Sequence, residues 1–214
     1  MQKRAIIFDF DGTIADSFDY VLEFLLKQAG RQHQVITAEQ KTALRGLSMK
    51  DLALAVGVPH WKLILVYFRG KQFMTKRMRS TPLFTDVEGV LHDLKSQHYT
   101  LYIISSNSKR NIRRFLVEHG LGDTFARVYG NAGWFGKGGV LKKVLQSQKL
   151  PAESTAYVGD EVRDVVGAQN AGMLSVAVSW GFSSEEALLA HSPTVLIRKP
   201  KELQHFFSGL SNEV

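Results

Sequence analysis

The sequence contains no cysteine among its 214 residues. This absence excludes a disulfide framework, a zinc site with thiolate ligands, an iron–sulfur cluster and catalysis by a cysteine nucleophile. It fits a reducing compartment, and we expect a cytoplasmic protein. A chain of this length buries roughly 70% of its unfolded surface and needs no metal to stay folded. Any metal site is therefore expected to serve chemistry.

Long apolar runs are also absent. The apolar stretch at residues 63–68 is bracketed by Lys62 and Arg69, whereas a membrane-spanning helix needs about 18 uninterrupted apolar residues. The basic start of the chain is followed by only the four apolar residues 5–8 before Asp9. An export signal needs a longer hydrophobic region. We therefore expect neither export nor a membrane partner.

Basic residues outnumber acidic ones, with 27 Lys and Arg against 20 Asp and Glu and a formal net charge of +7. Such a charge attracts nucleic acids and small anionic substrates alike. The densest basic groups, in residues 69–79 and 109–114, are interleaved at helical spacing, which is typical of solvated helix faces. We therefore expect a small anionic substrate and no nucleic-acid partner. No long heptad pattern is present, and a monomer is expected.

Short apolar runs alternate with amphipathic segments along most of the chain. The runs that predict strands are residues 5–10, 100–105, 155–158, 174–178 and 194–197. Apolar residues between them recur at helical spacing, for example Val87, Val90, Leu91 and Leu94. The alternation predicts an α/β fold, a doubly wound, Rossmann-like parallel sheet flanked by helices. The first run has no polar alternation, as expected of a central strand buried on both faces.

Residues 16–82 interrupt this alternation. They contain helical patterns and no convincing strand, and turn signals lie at residues 13–17 and 80–82. The sequence thus predicts a Rossmann-like core formed by residues 1–15 and 83–214, with residues 16–82 inserted as an all-helical cap. The aromatic residues Trp61, Tyr67, Phe68 and Phe73 are expected to form the core of this cap, the alternative being a platform on which a ligand stacks.

Acidic residues follow two of the predicted strands. Asp9 and Asp11 are two apart in an extended chain and therefore project to one side. Asp160 and Asp164 are four apart and share a helix face if Asp160 opens the next helix. Strand ends border the ligand crevice of an open α/β sheet, and Mg²⁺ favours one or two carboxylates with a substrate phosphate. Asp9 and Asp160 are the predicted magnesium ligands. The alternative is that the first pair lies in an ordinary surface loop and the second pair at a charged helix start.

Two further segments are suited to binding phosphate. Ser105, Ser106 and Asn107 follow the second predicted strand and precede a helix, where a hydroxyl and free backbone amides can hold an anion. The same residue types are also common as helix N-caps, which is the alternative interpretation. Lys137 lies in a glycine-rich stretch before another helix.

In this order, the motifs resemble those of the haloacid dehalogenase superfamily of phosphohydrolases, specifically its phosphoglycolate phosphatase-like members with a small helical cap. The resemblance covers nearly the whole chain. Motif one, Asp-x-Asp-Gly-Thr, is matched in full by residues 9–13, and motif four, Gly-Asp-x-x-x-Asp, by residues 159–164. Motif two, a serine or threonine at a strand end, is matched by Ser106, with Ser105 as the alternative.

Motif three departs from the pattern of many relatives, which have Lys-Pro where this chain has Lys137 followed by Gly138. Lys137 is the preferred match, and Lys109 and Lys142 are the alternatives. The Trp-Gly-Phe segment at residues 180–182 also resembles a loop of phosphoglycolate phosphatase-like relatives.

The resemblance implies a role for each matched residue. Asp9 would be the nucleophile that forms an aspartyl-phosphate, and Asp11 would serve as general acid and then as general base. Mg²⁺ would be held by the Asp9 carboxylate, the Asp11 backbone carbonyl and Asp160, with Asp164 supporting them. The implied phosphate-binding residues are Ser106, Asn107, Lys137, Gly12 and Thr13.

The cap would close over the site and select the leaving group. Arg45 and Lys50 are candidate contacts for the substrate, the alternative being solvated charges at helix ends. The predicted function is a Mg²⁺-dependent phosphatase that acts on a small phosphomonoester such as phosphoglycolate or a sugar phosphate. A phosphomutase of the β-phosphoglucomutase type and a non-catalytic binding module are the alternatives. Family dehalogenases lack an acid where this chain has Asp11, which favours phosphate substrates.

Overall fold

The computed structural model describes residues 4–132 and 137–212. Its strands are β1 (Ala5–Phe8), β2 (Thr100–Ile104), β3 (Arg127–Tyr129), β4 (Thr155–Gly159), β5 (Leu174–Val178) and β6 (Val195–Ile197). They form one parallel sheet in the order β3-β2-β1-β4-β5-β6. This is a doubly wound sheet, whose strand order reverses between β1 and β4. The predicted α/β fold is confirmed.

The edge strand β3 is not among the strands predicted from the sequence. It has three residues, and the first of them, Arg127, is exposed. A strand this short carries no apolar run that distinguishes it from a loop.

Ten α-helices are seen in the described residues, four of them within residues 16–82. Those four are α1 (Phe18–Gln28), α2 (Ala38–Leu44), α3 (Met49–Ala55) and α4 (Leu63–Arg77). The others are α5 (Val87–Ser96), α6 (Lys109–Glu118), α7 (Gly138–Gln148), α8 (Val162–Asn170), α9 (Glu185–Leu189) and α10 (Pro200–Asn212). Residues 16–82 are thus helical, as expected, while the division into a core domain and a cap domain stays a prediction.

Within the described residues, no helix combines the length and the apolar character needed to cross a membrane.

Residues of β1 alternate between the two faces of the sheet, and both faces are buried. Ile6 and Phe8 pack with residues of α5, α6 and α10. Ala5 and Ile7 pack with residues of α7 and α8 on the other face. The strand is therefore central, and its carboxyl end lies among the ends of β2 and β4.

A third apolar cluster lies in the helices that precede β2. Leu22, Leu52 and Val66 from α1, α3 and α4 pack there, together with Phe182 from the segment after β5. The Phe182 ring lies 5.4 Å from that of Phe18, edge to face. The inserted helices are thus tied to the sheet by an apolar contact near the carboxyl ends of its strands.

The expectation that Trp61, Tyr67, Phe68 and Phe73 form the core of these helices is wrong for two of the four. Trp61 is 76% exposed and Phe68 is 63% exposed, so neither forms a core. Ile64 is also exposed and completes an apolar stripe at helical spacing on the outer side of α4. The inner side of α4 is supplied by Val66 and the half-buried Phe73, whose ring lies 5.2 Å from that of Phe24.

Candidate active site

Asp9 directly follows β1 and is 2% exposed. Its backbone N–H donates to the carbonyl of Val158 at 2.8 Å, which extends the pairing of β1 with β4 by one residue. Its Oδ1 accepts the N–H of Phe10 at 2.7 Å, and its Oδ2 lies 2.5 Å from Nζ of Lys137. The chain therefore fixes this carboxylate between the ends of two neighbouring strands.

Asp160 is fully buried directly after β4, before α8 begins at Val162. It does not open the helix, because the N-cap is Glu161. Asp160 instead accepts hydrogen bonds from the hydroxyl of Thr13 and the N–H of Phe182, each at 2.7 Å. Asp164 lies in the first turn of α8, and its Oδ2 accepts the N–H of Glu161 at 3.2 Å.

Asp9, Asp160 and Asp164 form a buried carboxylate cluster, with one oxygen from each lying within 4.8 Å of the others. Burial raises the pKa of Asp9 to about 7, although Lys137 acts against the shift. Burial, with Glu161 and Asp9 adding to it, raises the pKa of Asp160 well above its usual value. Oxygen ligands that repel one another at close range are the donor set that Mg²⁺ binds, so the cluster fits this cation.

Lys137 is the cation within this cluster. It is 1% exposed, and its Nζ lies 2.5 Å from Asp9, 2.7 Å from Asp164 and 2.9 Å from the hydroxyl of Tyr157. Burial acts to lower the pKa of Lys137, but Asp164 and Asp9 outweigh it and the net shift is upward. The three ammonium protons therefore have three acceptors, and the charge is held next to Asp9.

Asp11 faces the end of β2. Its Oδ2 accepts a hydrogen bond from Nδ2 of Asn107 at 2.9 Å. Its Oδ1 is buried and makes no hydrogen bond of standard geometry among the described residues. Burial raises the pKa of Asp11, and the side chains of Asn107 and Ser17 partly offset that rise. A carboxyl group with one oxygen fixed and the other free is suited to exchanging a proton with a bound molecule.

Gly12 and Thr13 contact Asp160 in this structure. Gly12 has a φ of +82°, and a Cβ there would lie 2.2 Å from Oδ2 of Asp160. Thr13 donates its hydroxyl hydrogen bond to the other oxygen of the same carboxylate. Both residues therefore shape the carboxylate cluster, and their predicted role in binding phosphate stays a prediction.

The two candidate serines differ in burial. Ser105 is 1% exposed, and its Oγ accepts the backbone N–H of Asn107 at 3.1 Å. Ser106 is partly exposed. Ser105 thus supports the residue that contacts Asp11, and the choice between the two serines as a phosphate ligand stays open.

The two candidate substrate contacts also differ. The guanidinium of Arg45 donates to the carbonyls of Trp180 at 3.2 Å and Gly181 at 2.6 Å, and it lies 4.1 Å above the ring of Phe18. Lys50 is exposed in the first turn of α3. Arg45 is thus occupied by the segment that adjoins Asp160, while a role of either residue in binding substrate stays a prediction.

The residues predicted from the sequence do not include Tyr157 or Asn111, and the contacts of Phe182 were not predicted either. Tyr157 is a fully buried hydroxyl in the middle of an otherwise apolar strand. Asn111 is a buried amide in the first turn of α6, one residue before the apolar stripe of that helix. A polar residue in a buried pattern is the signal that could have found both, because such groups need hydrogen-bond partners.

Comparisons with known proteins agree with this fold. Residues 6–178 match the family model described as haloacid dehalogenase-like hydrolase. The phosphoglycolate phosphatase of Synechococcus elongatus is 32% identical over 201 residues, which cover 94% of this chain and 95% of the relative. A 5'-nucleotidase of Pseudomonas aeruginosa is 23% identical, with 88% of each chain covered. A solved haloacid dehalogenase-like hydrolase from Streptococcus pneumoniae has a TM-score of 0.78 at 24% identity, over 96% of this chain and 98% of its own.

The class of protein is therefore a hydrolase built on a doubly wound sheet, with its acidic site at the carboxyl ends of the strands. The chain belongs to the haloacid dehalogenase-like hydrolase family. The predictions of this family and of a phosphatase are confirmed.

Proposed function

We propose that this phosphatase hydrolyses a small phosphomonoester through an aspartyl-phosphate on Asp9. The observation that carries the proposal is the arrangement of charges around Asp9. This carboxylate is buried with Asp160, Asp164 and Lys137, and the partly free carboxyl group of Asp11 adjoins the same strand end. This arrangement supports the proposal, because the candidate nucleophile, proton carrier and cation ligands lie close together.

In the first step, a carboxylate oxygen of Asp9 attacks phosphorus while the bond from phosphorus to the leaving oxygen breaks. Asp11, whose pKa is raised by burial, is the group that would give a proton to that leaving oxygen. Lys137 keeps positive charge beside Asp9, where the phosphoryl group arrives.

In the second step, a water molecule attacks the phosphorus of the aspartyl-phosphate. Asp11, now ionised, takes a proton from this water, and the bond between phosphorus and the Asp9 oxygen breaks. Inorganic phosphate leaves, and both carboxyl groups return to their starting states. One residue thus serves as acid and then as base.

Mg²⁺ would be held by the carboxylates of Asp9 and Asp160 and by the backbone carbonyl of Asp11, with Asp164 nearby. When bound, the ion neutralises negative charge on the phosphoryl oxygens. The raised pKa values of Asp9 and Asp160 support this assignment, because burial and the neighbouring carboxylates disfavour the ionised forms that a bound cation would stabilise.

Phosphoglycolate is the first substrate to test, because the relative from Synechococcus elongatus carries that activity in its name. A sugar phosphate is the next. A monomer that works in the cytoplasm on a small molecule accords with the sequence, and these points stay predictions.

The test measures phosphate release from phosphoglycolate, sugar phosphates and nucleotides, with and without Mg²⁺ after treatment with a chelator. We expect Mg²⁺-dependent release that Asp9→Asn lowers on the order of a thousandfold or more, because the nucleophile is lost. Asp123→Asn, at an exposed position, is the matched control and is expected to keep full activity. Release that persists in Asp9→Asn would contradict the proposal. Conversion of a sugar phosphate to its isomer without phosphate release would instead identify a mutase.

A further inference from the structure

The side chain of Asn107 has only one possible orientation. Its Oδ1 accepts the backbone N–H of Ser108 at 2.8 Å, and a backbone N–H can only donate. The amide nitrogen must therefore face Asp11, to which it donates at 2.9 Å. The reverse orientation would place two acceptors, the Asn107 oxygen and the Asp11 carboxylate, against each other.

A second buried amide, Asn111 of α6, holds Asn107 in this orientation. Asn111 is 2% exposed, and its Nδ2 donates to Oδ1 of Asn107 at 3.0 Å. The same Nδ2 donates to Oγ1 of Thr75 at 2.9 Å. The Thr75 hydroxyl itself donates to the carbonyl of Lys71 at 2.8 Å, so its oxygen must act as the acceptor toward Asn111. Backbone groups thus fix the direction of every bond between Thr75 and Asp11.

These bonds connect two parts of the chain that are distant in sequence. Thr75 belongs to α4, in the inserted helices, whereas Asn111 and Asn107 belong to the sheet side of the site. Thr75 is exposed, so its contact with Asn111 is made at the surface of α4. If α4 moves away from α6, Asn111 loses one of its two acceptors and Asn107 loses the fixed position of its partner.

We propose that Thr75 and Asn111 are positioning residues that orient Asp11 through Asn107, so that the carboxyl group of Asp11 is aligned only while α4 rests on α6. This inference rests on the proposed function, because it takes Asp11 as the group that protonates the leaving oxygen. It adds a structural reason for proton transfer to depend on the inserted helices.

The test compares two kinds of substrate. An alkyl phosphomonoester expels a strongly basic alkoxide and needs the general acid, whereas p-nitrophenyl phosphate expels a stable anion and needs it far less. General acid–base catalysis contributes about 10²–10⁴-fold, and a misaligned acid loses part of this. Thr75→Val keeps the shape of the side chain and removes the acceptor. We expect kcat/KM to fall about tenfold for the alkyl ester and less than about twofold for p-nitrophenyl phosphate.

Two further variants complete the comparison. Thr75→Ser keeps the hydroxyl, so its kcat/KM for the alkyl ester is expected to stay near that of the unaltered protein. Thr42→Val removes a matched hydroxyl, one that donates to the carbonyl four residues earlier in α2, and is expected to change neither activity. An equal fall on both substrates in Thr75→Val, or no fall on either, would overturn the positioning role.

Asp11→Asn separates this inference from the proposed function. If Asp11 is the general acid, its loss lowers kcat/KM far more for the alkyl ester than for p-nitrophenyl phosphate, and adding Thr75→Val causes no further fall. An equal fall in kcat/KM on both substrates in Asp11→Asn would overturn the role of Asp11 as general acid. It would also overturn the positioning role of Thr75 and Asn111. If Asp11→Asn lowers kcat/KM selectively for the alkyl ester and Thr75→Val does not, only the positioning role of Thr75 and Asn111 is overturned.

Discussion

At the scale of single residues, the hydroxyl of Tyr157 completes the contacts of Lys137. It accepts from Nζ at 2.9 Å and donates to the carbonyl of Ile104 at 3.3 Å. Tyr157→Phe would leave one buried ammonium proton without an acceptor, which costs about 1–3 kcal/mol. We expect the free energy of unfolding, measured with urea, to fall by about that amount. Phosphatase activity should change little, because Lys137 keeps its contacts with the carboxylates of Asp9 and Asp164.

The control for this prediction is a tyrosine in the neighbouring strand. Tyr102 is 4% exposed on β2, and no hydrogen bond of its hydroxyl is seen in the described part of the chain. Tyr102→Phe is expected to change stability by less than about 0.5 kcal/mol. Equal effects of the two variants would show that the Tyr157 hydroxyl has no special role.

Residues with a fixed place in a motif could be predicted from the sequence. Asp9, Asp160 and Asp164 were predicted from strand ends and spacing, and the structure brings one oxygen of each within 4.8 Å of the others, with Lys137 contacting Asp9 and Asp164. Their chemical roles stay predictions. Asn111 could not be predicted, because its partner Thr75 is 36 residues away and only the packing of α4 on α6 joins them.

At the scale of elements, the loop after α2 is fastened to the segment after β5. Besides the two hydrogen bonds of Arg45, the N–H of Gly46 donates to the carbonyl of Phe182 at 2.5 Å. Phe182 in turn donates its N–H to Asp160. This contact therefore links the inserted helices to the carboxylate cluster.

Arg45→Ala removes two of these hydrogen bonds. Each contributes about 1 kcal/mol, so local opening should become at least about fivefold more frequent. We expect correspondingly faster hydrogen exchange at the amides of Gly46 and Phe182. Lys50→Ala, which changes an exposed side chain of the same region, should leave both exchange rates unaltered. Unchanged exchange in Arg45→Ala would argue against this fastening.

Elements with a long periodic pattern were easier to predict than short or two-sided ones. The apolar stripe of α5 identified that helix, and all four of its stripe residues are buried. The stripe of α4 did not reveal its orientation, because apolar residues occupy both its inner and its outer side. Burial of Val66 and exposure of Trp61 depend on the neighbouring helices, which periodicity does not specify.

At the scale of the whole molecule, the class of the sheet followed from the alternation of strands and helices, but the strand order did not. β1 lies between β2 and β4 because the connections place successive strands on either side of it. That arrangement brings Asp9 next to Asp160 across 151 positions of sequence. The acidic site thus depends on the strand order, which local sequence patterns do not specify.

The same buried site predicts how the stability of the whole protein depends on pH. Burial raises the pKa of Asp9 to about 7, and it also raises those of Asp11 and Asp160. Between about pH 4 and pH 7 the folded state then binds more protons than the unfolded state, so stability falls as pH rises, by at most about 1.4 kcal/mol per pH unit for each group. Mg²⁺ held at the proposed site would bind the ionised carboxylates of the folded state and so oppose this loss.

We therefore expect urea unfolding in a chelator to show a lower free energy at about pH 7 than at about pH 5, and millimolar Mg²⁺ to reduce or reverse the difference. Asp160→Asn removes one of the buried titrating groups and one proposed ligand of Mg²⁺. The fall in the free energy of unfolding with pH, measured in chelator, should therefore be smaller, and so should the stabilisation by Mg²⁺. Asp123→Asn, at an exposed position, should retain both. A stability that is independent of pH in chelator would contradict the raised pKa values. If stability in chelator falls with pH as predicted but Mg²⁺ does not change it, the cation does not bind at this cluster. Binding to the ionised carboxylates would stabilise the folded state.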